Sequence, residues 1–119
     1  MLSKKNRLKG TANFEKIFKY GEKFFSPYFV AYRLKHEIEE SESIEGLKLE
    51  PYTPRIGFIA SKKVGGAVQR NRARRMLSEA IRLNIIEKDT ISADYIFIIK
   101  KELLNSSLAI LQEETKKYL

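Results

Sequence analysis

Apolar positions recur at helical spacing in three stretches of this 119-residue chain, and alternate or run together in four others. Phe14, Ile17 and Phe18 predict a short helix over about Thr11 to Tyr20, and Gly21 suits its C-cap. Phe24-Phe25, ahead of Ser26-Pro27, reads as a short edge strand. Phe29 to Leu34 is a clearer strand, with Val30, Tyr32 and Leu34 on one face and Phe29, Ala31 and Arg33 on the other. Arg55 to Ser61 alternates as a third strand. Tyr95 to Lys100 is an apolar, aromatic run that fits a buried strand. Asn105 to Leu119 closes as a helix, with Leu108, Leu111 and Thr115 at its core-facing spacing.

The long helix is predicted from Ala67 to Ile86. With about 100° of rotation per residue, Ala73, Met76, Leu77, Ala80 and Ile81 share one broad stripe. Arg75 and Arg82 point away from it, Arg70 and Arg74 lie on one shoulder, and Arg72 lies on the other. Gly66 precedes the first turn, and Gln69 stands where a capping-box partner belongs. Between His36 and Pro54 the periodicity lapses. Six glutamates, one lysine, Pro51 and Pro54 give that segment the composition of a solvated loop.

Charge changes this picture. The chain carries a net charge of +8. The segment 36–54 holds −5, so the remainder carries +13. A field of that sign draws polyanions, nucleic acid or anionic lipid alike. The length suits a single domain, 1–119. No apolar run approaches the roughly 20 residues that span a bilayer. The basic N-terminus lacks the apolar stretch of a signal peptide, so a cytoplasmic protein with no membrane association is expected. Zero cysteines exclude disulfides and thiolate metal sites.

Ser61 to Arg75 holds six basic side chains and no acid, spread over a strand end, a glycine turn and a helix start. Arginine offers planar, permanently charged donors that match phosphate oxygens. Amides at the helix start, beside Lys62 and Lys63, add a seat for phosphate. Solvation of a helix face is the plainer explanation for a charge run. Against it, no interleaved acid offers i,i+4 pairing, and Arg70 and Arg74 repel each other.

Lys62-Lys63-Val64-Gly65, followed by Arg70-Asn71-Arg72 and Arg74-Arg75, resembles the signature of the bacterial ribonuclease P protein subunit. The resemblance extends to Asn6-Arg7-Leu8, Phe14-x-x-x-Phe18, Phe29-Val30-Ala31-Tyr32 and Asp94-Tyr95-Ile96, in order along nearly the whole chain. It implies an α/β (α+β) two-layer sandwich: a mixed sheet of about four strands packed by helices, with a left-handed βαβ crossover through the arginine helix. That hand runs against the usual rule for such connections.

The implied function is that of a ribonucleoprotein subunit. The protein binds the catalytic ribonuclease P RNA and the 5′ leader of precursor tRNA, assisting magnesium-dependent removal of the leader. Carried over by position, Lys62, Lys63, Arg70, Asn71, Arg72, Arg74, Arg75 and Arg7 face RNA. Phe14, Phe18 and Tyr32 line the leader cleft, although an i,i+4 aromatic pair such as Phe14/Phe18 is more often core. Mg2+ is implied as the holoenzyme's cofactor, bound mainly through RNA, with no obligate protein partner. Three departures stand out: Gly66 replaces a usual asparagine, Ser78 stands where several members are basic, and the acidic loop is longer.

Other classes stay in view. A protein-borne nuclease needs clustered carboxylates or histidines. The sole histidine, His36, and the two aspartates, Asp89 and Asp94, lie outside the basic motif, so no catalytic or metal residue is expected in this chain. A ribosomal or other structural RNA-binding protein fits the charge pattern equally well. A helix-in-groove DNA binder lacks helix-turn-helix spacing before the basic helix.

Overall fold

The computed structural model describes residues 6–35, 54–86 and 93–118. The acidic stretch 36–53 and Lys4 and Lys5 of the basic N-terminus lie outside them. Helix α1 (Thr11–Tyr20) is followed by strands β1 (Glu22–Phe25), β2 (Phe29–Lys35) and β3 (Arg55–Ile59), helix α2 (Ala67–Ile81), strand β4 (Ala93–Ile99) and helix α3 (Leu108–Tyr118). The four strands form one mixed sheet in the order β1-β2-β4-β3. β1–β2 and β2–β4 are antiparallel, and β4–β3 is parallel. β3, α2 and β4 therefore make a βαβ unit.

Sequence alternation fixes which residues meet which helix. Strand side chains point to opposite faces with a period of two. Phe29, Ala31, Ile56, Tyr95, Phe97 and Ile99 turn one way and bury against Ala73, Leu77, Ala80 and Ile81 of α2 and Leu111 of α3. Ile96, with partly buried Tyr32, Leu34, Ile59 and Ile98, turns the other way and packs under Ile17 and Phe14 of α1 and under Leu8. β4 lies at the centre and is covered on both faces, which explains its continuous apolar run.

The residues before α1 extend the sheet. Arg7 forms a parallel bridge to Ile56, and the Leu8 N–H donates to the Ile56 carbonyl at 2.9 Å. The Asn6 side-chain amide donates to the Pro54 carbonyl, also at 2.9 Å. This pairing satisfies part of the outer edge of β3, where unpaired backbone groups would otherwise template aggregation.

The helices differ from the sequence expectation at their ends. The long helix stops being α-helical at Ile81, and Arg82–Ile86 continue it as a wider π turn. Within that turn the Asn84 amide donates to the Gln112 carbonyl and the Thr115 hydroxyl of α3, each at 2.7 Å. A polar clamp between two helices thus sits where the α-helical ladder gives way. The last helix does not begin at Asn105. A 3-10 turn over Lys101–Asn105 comes first, and α3 starts only at Leu108. The Ser106 hydroxyl donates to the Leu103 carbonyl, and the Ser107 hydroxyl accepts from the Ile110 N–H. The Ser106 bond closes the 3-10 turn, and Ser107 caps the start of α3. Leu108 consequently falls in the first turn and is exposed, contrary to its expected core role, while Leu111 and Thr115 are buried.

Candidate nucleic-acid interface

The basic turn is locally ordered. Val64 and Gly65 N–H groups donate to the carbonyls of Ser61 and Lys62, and the Ser61 hydroxyl accepts from the Lys63 N–H. Gly65 has φ of +145°, a conformation that side-chain-bearing residues rarely adopt. Lys62 and Lys63 project from this turn, both exposed. Gly66 then caps α2 without any side-chain hydrogen bond, so the expected capping box does not form. Glycine has no side-chain oxygen to offer, and the first-turn amides of α2 keep their donors free of a capping side chain.

Along α2 the stripe falls as its spacing predicts, with Ala73, Leu77, Ala80 and Ile81 buried and Met76 partly so. Asn71, Arg72 and Arg75 are exposed, and Arg70 and Arg74 are half-buried on the shoulder. Arg74 is held by a 3.1 Å donation from Nη1 to Asn71 Oδ1. The Arg70 Nε is buried with no hydrogen-bond partner. Ser78, the position where relatives were expected to be basic, is itself buried and donates to the Arg74 carbonyl at 2.6 Å. The basic surface therefore ends one turn earlier, at Arg75.

On the opposite face of the sheet lies an aromatic strip. The Phe18 ring meets the Tyr32 ring edge-on, with centroids 4.9 Å apart and planes at 82°. Phe18 remains 39% exposed. Phe14 lies deeper, over the backbone of β3 at Gly57, where an added Cβ would come within 2.6 Å of its ring. Gly57 thus makes room for Phe14, whose ring packs against the core and stays partly exposed. The structure brings Phe14, Phe18 and Tyr32 to one face; it keeps the α2 basic residues on the other side of the sheet, and Arg7 on the β3 edge, also exposed.

Two strip residues were missed from sequence. Lys23 and Phe25 of β1 pair in register with Tyr32 and Val30. Their place follows from the antiparallel register with β2, which puts Lys23 and Phe25 on the face of Val30 and Tyr32, whereas Phe24-Phe25 taken alone indicates only an edge strand.

Elsewhere, other arginines pair with carboxylates. Arg55 donates to both Asp94 oxygens, from Nε at 2.8 Å and from Nη2 at 2.6 Å. The hydrogen bonds to Asp94 push the Arg55 guanidinium above its already high range, burial opposing them. Arg82 pairs with Glu79, and this pairing lowers the Glu79 carboxyl. Burial raises the Tyr95 hydroxyl, partly offset by Arg33. Among the described residues, no three His, Cys, Asp or Glu side chains gather where they would hold a metal ion.

A mixed four-stranded sheet with three helices, basic on one side and aromatic on the other, defines the class, and comparison with known proteins places it. The ribonuclease P protein of Staphylococcus aureus matches this fold with a TM-score of 0.69 at 25% identity, over 94% of this chain and 90% of that one. That of Thermotoga maritima matches with a TM-score of 0.68 at 24% identity, over 95% and 97%. The family model Ribonuclease P matches residues 2–119. The ribonuclease P protein component of Clostridioides difficile (strain 630) is 40% identical over 98 residues, covering 80% of this chain and 75% of its own. That of a Nitratiruptor species is 36% identical over 112 residues, covering 94% and 87%. The chain belongs to the bacterial ribonuclease P protein family, whose members are protein components of a tRNA-processing ribonucleoprotein. No helix among the described residues is long and apolar enough to cross a membrane.

Proposed function

We propose that this chain binds ribonuclease P RNA through the basic face of α2 and the turn before it, and seats the 5′ leader of precursor tRNA on the aromatic strip. One observation carries the reading: Arg70, Arg72, Arg74 and Arg75 stand on one helix with no carboxylate partner among the described residues. Arginines left unneutralised are available for phosphate, where charge-assisted bonds are strong and counterion release adds affinity. Lys62, Lys63 and the first-turn amides of α2 continue that surface, Asn71 orients Arg74, and Arg7 adds a basic group on the β3 edge.

Phe18 and Tyr32 offer ring faces on which unpaired bases stack irrespective of sequence, while Phe14 supports them from the core side. The chain acts in a cytoplasmic ribonucleoprotein that cleaves precursor tRNA. It contributes binding and orientation, and the chemistry resides in the RNA. In this reading the magnesium ions of the holoenzyme are held mainly by RNA phosphates.

The test is reconstitution. Purified protein, a bacterial ribonuclease P RNA and labelled precursor tRNA are combined at magnesium too low for the RNA alone. Cleavage at the mature 5′ end that needs both protein and RNA is expected. Absence of rescue, with the protein folded and bound to the RNA, would assign it a structural RNA-binding role instead.

A further inference from the structure

The aromatic strip does not end at Tyr32. The Lys23 ammonium lies 5.4 Å from the centre of the Tyr32 ring and 4.9 Å from that of Phe25, on the outermost strand of the sheet. Phe25 is 62% exposed, whereas its neighbour Phe24 faces the other way and packs against the core. A phenylalanine needed only for stability would be expected to bury its ring, as Phe24 partly does. An exposed apolar ring on an edge strand is a liability that invites strand pairing, unless something covers it. β1 presents no acid on this face, because Glu22 points to the opposite side and pairs with Arg33.

Resting on the leader reading above, we infer that Lys23 and Phe25 form one further nucleotide position of the strip. It takes a single-stranded base of the leader, beyond those held at Phe18 and Tyr32. The chemistry is complementary on both counts. A base stacks on the open face of Phe25, and the phosphate joining it to the nucleotide at Tyr32 meets the ammonium between the rings. Cation–π contact with two rings keeps the Lys23 charge over the strip instead of dispersed in solvent. The occupant is single-stranded RNA, since a duplex hides its base faces and cannot stack on a side-chain ring.

Protein assembled with ribonuclease P RNA is titrated with precursor tRNAs whose leaders lengthen from none to about ten nucleotides, a range that covers single-strand site sizes. Unaltered protein should gain affinity in steps. Phe25→Ala should lack the last step alone, binding long leaders about 5-fold or more weakly and short leaders unchanged. Phe25→Trp should retain that step, and Lys23→Gln should lower the salt slope for long leaders by about 0.7.

Steps preserved in Phe25→Ala would overturn the inference while leaving the leader reading intact. Equal loss for leaderless tRNA would also overturn it, assigning the residues to the tRNA body or to the catalytic RNA. If unaltered protein shows no dependence on leader length, the leader reading fails and takes this position with it. Both side chains are exposed, and circular dichroism of each variant checks that the fold is unchanged.

Discussion

Two sets of arginines in this molecule teach opposite lessons. Arg33, Arg55 and Arg82 each meet a carboxylate: Glu22, Asp94 and Glu79. Arg70, Arg72, Arg74 and Arg75 meet none among the described residues. The contrast lies in the sequence of α2, whose only acid, Glu79, is taken by Arg82. Where an arginine serves the fold, the chain supplies an acid; along the first three turns of α2 it supplies none. Unpaired like charges raise the energy of the free protein slightly, and an incoming polyanion relieves that repulsion.

The sharpest break of this comparison exchanges the free set. Arg70, Arg72 and Arg74 changed together to alanine should weaken binding to ribonuclease P RNA by about 100-fold or more, taking roughly 1.5–3 kcal/mol per charge-assisted bond and allowing for non-additivity. The log–log salt slope should fall by about 2 to 3. Thermal stability should change little, because Arg72 is exposed, Arg70 and Arg74 are only half-buried, and none of the three anchors an ion pair among the described residues. Filter binding across a salt series reads the outcome, and an unchanged slope would remove these three residues from the interface.

The paired set should behave the other way. Asp94→Ala leaves the Arg55 guanidinium without its carboxylate beside the buried sheet. Loss of a buried partner is worth about 3–5 kcal/mol, and the partial exposure of Arg55 reduces this to about 2 kcal/mol. Urea denaturation measures it. RNA affinity per folded molecule should stay the same, and a binding defect exceeding the unfolded fraction would mean Asp94 has a second role.

Between these extremes stands Phe18, which belongs partly to each world. Its ring edge contacts Tyr32 while much of its surface is open. Phe18→Ala should cost about 1–2 kcal/mol of affinity for leader-bearing precursor and much less for mature tRNA. Equal loss on both substrates would make the ring a packing element alone.

These contrasts were legible in the sequence to unequal degrees. The strand faces followed from alternation: Val30, Tyr32 and Leu34 did separate from Phe29 and Ala31, because the period of two survives whatever covers each face. The buried stripe of α2 followed from its spacing for the same reason. What escaped is tertiary. The exposure of Leu108 depends on where Ser106 and Ser107 interrupt the chain, and the π turn coincides with the contact of Asn84 to α3. Lys23 and Phe25 escaped because their partner is across a strand pair, and register is set by pairing that no local window contains. The pairing of Arg55 with Asp94, 39 residues apart, escaped likewise.

The smallest expected effect tests whether Arg33 belongs with the paired set. Its Nη2 donates to Glu22 at 3.2 Å, its guanidinium sits 4.9 Å from the Phe24 ring centre, and its Nε is buried without a partner. Nearby Tyr95 is buried, which raises its hydroxyl above the ordinary tyrosine value, while Arg33 pulls the other way. A raised acid is protonated longer in the folded state than in the unfolded chain. Tyr95 therefore contributes stability that is fully present below about pH 10, and that contribution is lost as pH climbs from there through the folded-state value. Tyr95→Phe has no proton to lose, so its stability should decline less steeply above pH 10 than that of the parent. Arg33→Met removes the opposing charge and should steepen the parent's decline. Chemical denaturation from pH 8 to 11 compares the three proteins. Identical slopes for Arg33→Met and the parent would show that Arg33 does not hold its charge against the sheet, and would move it into the free set.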